Sequence, residues 1–378
     1  MGILKYINED ERIALRLREL YESFGYRKAG AADFEEYDFL VENRSFFGEG
    51  NIISFMNTDG KLMALRPDVT LSLIKSLPPE DPGYAEKLYY IESVYRYIKE
   101  SHVYKKIDQI GIEYIGDSAD YGNAEVLSMA LDSLNAINEK FVLSVSHMGF
   151  VSGMLSAPEI TEELRARILD NFKSKNMHDL SKILETAELP QELRENILSV
   201  FGLCGEFVST LQAARKLSSS EQAIQALDEL ENIHRLLNYA GCSKYLPGMI
   251  LDFSIANDLD YYNGLIFRGY VENLPKVLLS GGRYDSMMAK LGKQRRGTGF
   301  AVSLDELSHY CGNQRQYDYD ILILYRQGDN MSRLLSLVRE YAAQGRRVRV
   351  EDVGSSASLP FRFRETYRFS SGHLIREV

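Results

Sequence analysis

Three segments of this chain set polar residues where a half-buried strand ordinarily carries apolar ones. In Gln109-Ile110-Gly111-Ile112-Glu113-Tyr114, a period of two puts Ile110, Ile112 and Tyr114 on one face and Gln109, Gly111 and Glu113 on the other. Gly111, between an amide and a carboxylate, leaves room for a ligand to lie against the backbone. An ordinary solvent face has the same alternation. In Leu65-Arg66-Pro67-Asp68-Val69-Thr70, an extended backbone points Asp68 and Thr70 the same way. The alternative is a helix start with Asp68 or Thr70 as its N-cap. In 257–264, Tyr261 and Tyr262 stand between an acidic loop and a strand and could frame an aromatic pocket. The plain alternative there is a hairpin turn at Asn263-Gly264.

Other chemistries find no support. The Gly-rich SGGRYDSMMAKLG lacks the spacing of a nucleotide-phosphate loop or a dinucleotide fingerprint. No Ser/His/Asp or Cys/His arrangement can be read from spacing. The six histidines are scattered, so no metal site is expected, nor any cofactor. Cys204, Cys242 and Cys311 form no CxxC pair, which argues against a zinc knuckle or a disulfide framework and fits a reducing cytoplasm.

The elements that must position these residues are partly visible. Ile13, Leu17, Leu20 and Phe24 mark a first helix ended by Gly25. Asp59-Gly60 between apolar runs signals a hairpin. KLYYIESVYRY and KKIDQIGIEYIG read as strands. Leu127, Leu131, Leu134 and Ile137 share a helix face, with Asn123 as its cap, and FVLSVSH is a strand. From about 157 to 246 helical patterns take over. There Ser218 and Glu221 are spaced as a capping box, ahead of an apolar stripe of Ile224, Leu227, Leu230, Ile233 and Leu237. Strands return at MILDFSI, GLIFRGYV and KVLLSGG. A new strand–helix–strand pattern begins near 317.

At 378 residues two or three domains are expected. The reading is an α+β core over 1–312, interrupted by a helical insertion over 157–246, then a small, truncated C-terminal α/β domain over 317–378. A formal charge of −10 and a pI near 5.3 disfavour wholesale nucleic-acid binding. Basic clusters remain at 290–296 and in 344–378, where Arg346, Arg347, Arg349, Arg362, Arg364, Arg368 and Arg376 face four acids. Local pairing, residual RNA binding and a partner contact all fit them. No apolar run reaches the ~18 residues of a membrane span. No secretory signal is visible, and Tyr6 argues against myristoylation of Gly2.

In this order, the segments resemble histidyl-tRNA synthetase and its paralogue, the regulatory subunit of the short-form ATP phosphoribosyltransferase. LRPDVT resembles LRPEGT of that family, YRYIKESHVYKKIDQIGIEYIG resembles motif 2, and LDYYN matches the second histidine-specific box. GGRYD opens the approach to a motif 3 that ends at TGFAVSLDEL. The resemblance covers roughly 5–155 and 246–310. It implies a class II aminoacyl-tRNA synthetase-like antiparallel sheet flanked by helices, dimerising through a first motif. Here that motif, GYRKAGAADFEE, carries Ala32 where the family usually has proline.

The resemblance also implies site roles. Asp68, Thr70 and Gln109 would hold the α-amino group of histidine, and Glu113 and Tyr262 would meet its imidazole. Tyr261 would line the wall, and Arg96 would approach the carboxylate. Two carboxylates suit the donor ends of histidine, and a phenol can donate or accept. Against the synthetase pattern, Asn257 and Glu306 stand where it has arginines, Ile98 where motif 2 has an acid, and Ile107 where a phenylalanine stacks on adenine. Two positive charges fewer and one negative more amount to −3 around the triphosphate. The C-terminal stretch is also shorter than an anticodon-binding domain.

The implied function is a non-catalytic regulatory subunit in cytoplasmic histidine biosynthesis, itself an amino-acid biosynthesis pathway. It would pair as a homodimer, bind L-histidine and take part in allosteric regulation. Its partner would be the short-form catalytic subunit, in a hetero-octamer of four and four chains. Membrane and nucleic-acid partners are not expected. A divergent histidyl-tRNA synthetase, or a histidine-binding paralogue with another partner, are the alternatives.

Overall fold

A computed structural model describes residues 7–47, 52–78, 83–98, 101–117, 119–218, 220–255, 261–311, 317–354 and 359–377. The first apolar stripe folds as α1 (Glu9–Ser23) and buries Ile13, Leu17 and Tyr21. The i, i+4 step thus runs through Tyr21, and Phe24 is exposed beyond the last turn. Gly25 takes the left-handed conformation, φ 82°, that stops the helix. Next come β1 (Arg27–Lys28), β2 (Phe34–Glu36), α2 (Tyr37–Glu42), β3 (Ser54–Met56) and β4 (Leu62–Leu65). β3 and β4 form the hairpin expected at Asp59-Gly60. Asn57 Oδ1 accepts the amides of Asp59 and Lys61, and Gly60 has φ 77°.

α3 (Val69–Ser76) precedes β5 (Glu86–Ile98) and β6 (Val103–Gly116), which pair antiparallel along their whole length. α4 (Ala119–Ile137), β7 (Phe141–His147) and α5 (Met148–Met154) follow. Asn123 does not cap α4. It lies inside the helix, fully buried, donating to Glu229 and accepting from Thr298. Between 157 and 246 the chain is almost wholly helical: α6 (Glu162–Ser174), α7 (Met177–Thr186), α8 (Gln191–Phe201), the short β8 (Cys204–Glu206), α9 (Phe207–Leu217) and α10 (Glu221–Tyr239). The cap of α10 is Ser220, which accepts the Ala223 amide, and not Ser218. Its buried stripe takes in Ala223 and Ala226 and leaves Ile224 exposed.

β9 (Met249–Asp252), β10 (Leu265–Val271), β11 (Leu279–Arg283), α11 (Asp285–Lys290), β12 (Arg296–Ser303) and α12 (Leu304–Cys311) complete the larger unit, Ile13–Tyr310. Among the described residues its main sheet has nine strands, ordered β1-β5-β6-β12-β11-β10-β7-β9-β8. Only β1 on β5 and β7 on β9 are parallel. This is the α+β arrangement that the alternation of the sequence predicts.

Two of the basic residues after α11 are tied to backbone carbonyls. Lys293 Nζ donates to the carbonyls of Leu77 and Pro78, and Arg295 donates to those of Tyr84 and Ile115.

The smaller unit includes Cys311 onward. It holds β13 (Tyr319–Tyr325), α13 (Met331–Ala343), β14 (Val348–Asp352), β15 (Phe363–Ser370) and β16 (His373–Glu377), in the sheet order β14-β13-β15-β16. Ile321, Ile323, Leu334 and Phe369 form its core. The tail, which shows no clear period in the sequence, therefore supplies two further strands. Five of its arginines pair locally: Arg346 with Glu365, Arg347 with Asp320, Arg349 with Glu351, Arg362 with Asp318 and Arg368 with Glu377. No helix among the described residues is long and apolar enough to cross a membrane.

Candidate ligand-binding site

Arg66 is fully buried and fixes the segment that opens α3. Its guanidinium donates to the carbonyls of Ser93, Ala31 and Ala32 and pairs with Glu92 at 2.9 Å. Next in line, Asp68 has extended backbone and caps α3, its Oδ1 accepting the Leu71 amide at 2.8 Å. Its Oδ2 accepts from the Tyr261 hydroxyl at 3.2 Å. The helix-start reading therefore holds: Asp68 caps α3, Thr70 is helical rather than extended, and the second Asp68 oxygen faces Tyr261. Thr70, in the first turn, donates to Glu113 Oε1 at 2.6 Å, and Tyr284 donates to Glu113 Oε2, also at 2.6 Å.

Sheet register explains this convergence. Glu113 on β6 lies opposite Gly299 on β12, and Gly111 opposite Ala301. A Cβ on Gly299 would fall on the Glu113 carboxylate and the Ile112 carbonyl. One on Gly111 would meet Phe300 O and Tyr90 Oη at 2.5 Å. The glycines are the space that Glu113 and Tyr90 occupy. Gly299→Ala is expected to lower stability by about 1–3 kcal/mol, the usual cost of overpacking. A urea titration indistinguishable from wild type would show that Glu113 moves aside freely.

Asp68, Thr70, Gln109, Glu113, Tyr261 and Tyr262 all line one small cavity of about 60 Å³. Arg96 does not. It donates Nε–H to Pro67 O at 3.2 Å and lines a larger cavity of about 380 Å³, with Phe46, Phe47 and Arg268. Tyr261, Tyr262 and Ser280 line both cavities, so the two adjoin across these side chains. The larger volume falls in the range of small-molecule sites, roughly 300–1,000 Å³. Asn263-Gly264 is no hairpin turn: Asn263 bonds the Arg283 carbonyl and the Asp285 amide and leads into β10.

Burial dominates the electrostatics. It pushes Glu113 up to about 8, against the pull of the Thr70 and Tyr284 hydroxyls, with the nearby Asp68 charge adding to the rise. Burial also raises Asp68, opposed by the Leu71 amide, Arg96 and Tyr261. These surroundings favour a proton on Glu113 at neutral pH, and a cationic ligand would release it. The same shift bears on folding. The folded chain holds this proton between pH 4.5, the ordinary value, and about 8, while the unfolded chain does not. The stabilisation is fully present below 4.5 and is lost as pH rises toward 8. Thermal melting from pH 5 to 9 should show a decline that is flatter in Glu113→Gln, and parallel curves would contradict the shift.

Sequence reasoning missed Tyr90, Tyr284, Ser280 and Arg268. Tyr284 and Tyr90 become site residues only through the pairing of distant strands. The glycine spacing Gly297-Thr298-Gly299, on a strand facing Glu113, was the one available hint. Of the departures from the synthetase pattern, Asn257 lies outside the described residues. Glu306 is not a bare charge: Lys276 Nζ donates to it at 2.9 Å. Ile107 packs against Val69, Leu73, Tyr90 and Val94, with no ring to offer a base. Arg268 adds a cation that the charge count omitted, so the larger cavity keeps two arginines.

Arg283, adjacent to Tyr284, pairs with Glu229 of α10, which also meets His147 and Asn123. Burial raises Glu229, but His147 and Arg283 outweigh it and hold the carboxylate down at about 2. The pocket wall is thereby tied to the helical segment. Among the described residues no group of three or more His, Cys, Asp and Glu is placed to hold a metal ion.

The sequence profile of histidyl-tRNA synthetase matches residues 5–307. The chain belongs to the histidyl-tRNA synthetase family. Within that family, an ATP phosphoribosyltransferase regulatory subunit from Oceanobacillus iheyensis is 24% identical over 91% of this chain and 85% of its own length. Among solved structures, an ATP phosphoribosyltransferase regulatory subunit/histidyl-tRNA synthetase from Bacillus halodurans C superposes with a TM-score of 0.74. It shares 24% identity and covers 93% of this chain and 90% of its own. A chain of the ATP phosphoribosyl transferase (HisG:HisZ) complex from Thermotoga maritima superposes with a TM-score of 0.60 at 18% identity, over 78% of this chain and 97% of its own. These structures establish the family's class II synthetase-like fold.

Proposed function

We propose that this chain is a non-catalytic regulatory subunit of a short-form ATP phosphoribosyltransferase, acting in the first step of histidine biosynthesis and binding L-histidine in the carboxylate pocket. The observation that carries the reading is the pairing of two buried carboxylates, Asp68 and Glu113, each held by hydroxyls that a ligand's donors can replace. Ile98, Ile107 and Glu306, at the positions that the resemblance assigns to ATP contacts, offer neither an adenine stack nor a phosphate cation. The names carried by the family's similar members support the regulatory role, and the solved complex supports a catalytic partner chain.

Self-association through the synthetase-like core is part of this proposal. Phe34 and Phe55 are exposed on one face of the small sheet of β2, β4 and β3, their rings 5.5 Å apart, with Phe34 inside the first-motif segment. That apolar face suits a second copy of the chain, and four such chains with four catalytic chains would make the expected hetero-octamer.

Calorimetry should detect histidine binding in preference to other amino acids. Glu113→Gln and Tyr262→Phe should each weaken it by about 1–3 kcal/mol, the cost of leaving a buried polar group short of a partner. No binding up to millimolar histidine, alone or with the catalytic chain present, would refute the pocket assignment. On gel filtration the two purified chains should co-elute as a large complex, and separate elution would refute the partner.

A further inference from the structure

We infer that Arg268, together with Arg96, forms an oxyanion subsite in the larger cavity that takes the carboxylate end of the bound amino acid. This rests in part on the histidine reading of the adjoining pocket. Arg268 sits on β10, a strand inside the main sheet, opposite Ser144 on one neighbour and Ser280 on the other. Its side chain is half-buried. Among the described residues it has no hydrogen-bonding or ion-pairing partner, and no acidic side chain lines the cavity it shares with Arg96. A guanidinium partly withdrawn from water without a counter-charge loses some of its hydration. A carboxylate or phosphate accepting its paired N–H groups would offset that loss.

The geometry also gives the ligand a direction. Asp68 and Glu113 line one of the two adjoining cavities, Arg96 and Arg268 line the other, and Tyr261 and Tyr262 line both. Burial keeps the Tyr262 phenol neutral, and the Asp68 and Glu113 charges act the same way, while Arg268 pulls in the opposite direction. Lining both cavities, that phenol stands between the carboxyl groups and the arginines. A molecule with cationic donors at one end and a carboxylate at the other complements this arrangement. A free phosphate shares only the oxyanion half of the chemistry.

Calorimetric titration of wild type, Arg268→Gln and Arg268→Lys with three probes separates these cases: L-histidine, L-histidinol, which lacks the carboxylate, and inorganic phosphate. Thermal melting confirms that each variant is folded. Wild type should prefer histidine to histidinol by about tenfold, the scale of one charge-assisted bidentate contact. Arg268→Gln should lose that preference through weaker histidine binding, with histidinol unchanged, and Arg268→Lys should keep part of it. Equal binding of histidine and of phosphate by wild type and Arg268→Gln would overturn the subsite. If no protein binds histidine, the pocket reading falls and phosphate decides. Binding by wild type that Arg268→Gln weakens keeps the subsite, and binding that is absent or unchanged removes it.

Discussion

Histidine-dependent ATP–pyrophosphate exchange by the pure protein is expected to stay at background. Adenylate formation needs preorganised cations around a triphosphate while charge redistributes at the α-phosphorus. Asn257 and Glu306 stand where the synthetase resemblance places two of those cations, and losing one such donor typically costs about 10²–10³ in rate. The carboxylate of Glu306 is already engaged by Lys276, so repulsion of phosphate is softened, but neither group supplies the missing guanidinium. Ile107 is committed to packing against Val94 and its neighbours. Arg96 and Arg268 remain in the cavity and suit a carboxylate without completing a triphosphate clamp. Clear exchange above background would return the chain to the synthetases and overturn the non-catalytic reading.

The legible parts of this molecule are those where local pattern and tertiary need agree. The β5–β6 hairpin, the Asp59-Gly60 turn and the α10 stripe follow from alternation, turn chemistry and helical spacing. Asp68, Thr70, Gln109 and Glu113 stood out because polar groups at such positions are costly unless they are used. Arg96, which the resemblance places at the carboxylate, lines the adjoining cavity and not the one with Glu113, and it is held where β5 passes Pro67. The caps failed for a simpler reason. Ser218 and Ser220 are both plausible caps, and only Ser220 reaches the Ala223 amide. Asn123 looked like a helix start because Asn favours caps, whereas its amide serves a buried contact with Glu229 more than a hundred residues away. Tyr284 and Arg268 were invisible because their meaning comes from strand order, and no short window of sequence contains β6, β12, β11 and β10 together.

On the proposed function, histidine bound without activation acts through the partner chain. If histidine binds the active and inactive assemblies differently, it shifts their balance by that difference, commonly about 1–3 kcal/mol. With the catalytic and regulatory chains assembled, histidine should therefore inhibit, and Glu113→Gln should blunt the inhibition if this pocket carries the signal. Co-elution with unchanged inhibition in Glu113→Gln would keep the partner and move the histidine sensor elsewhere. The most direct test is the rate of phosphoribosyl-ATP formation by the purified short catalytic chain, measured with and without this protein. The rate should rise on addition and saturate once the catalytic chain is fully complexed. A catalytic chain whose rate is the same in the presence of a saturating amount of this protein would contradict the regulatory assignment.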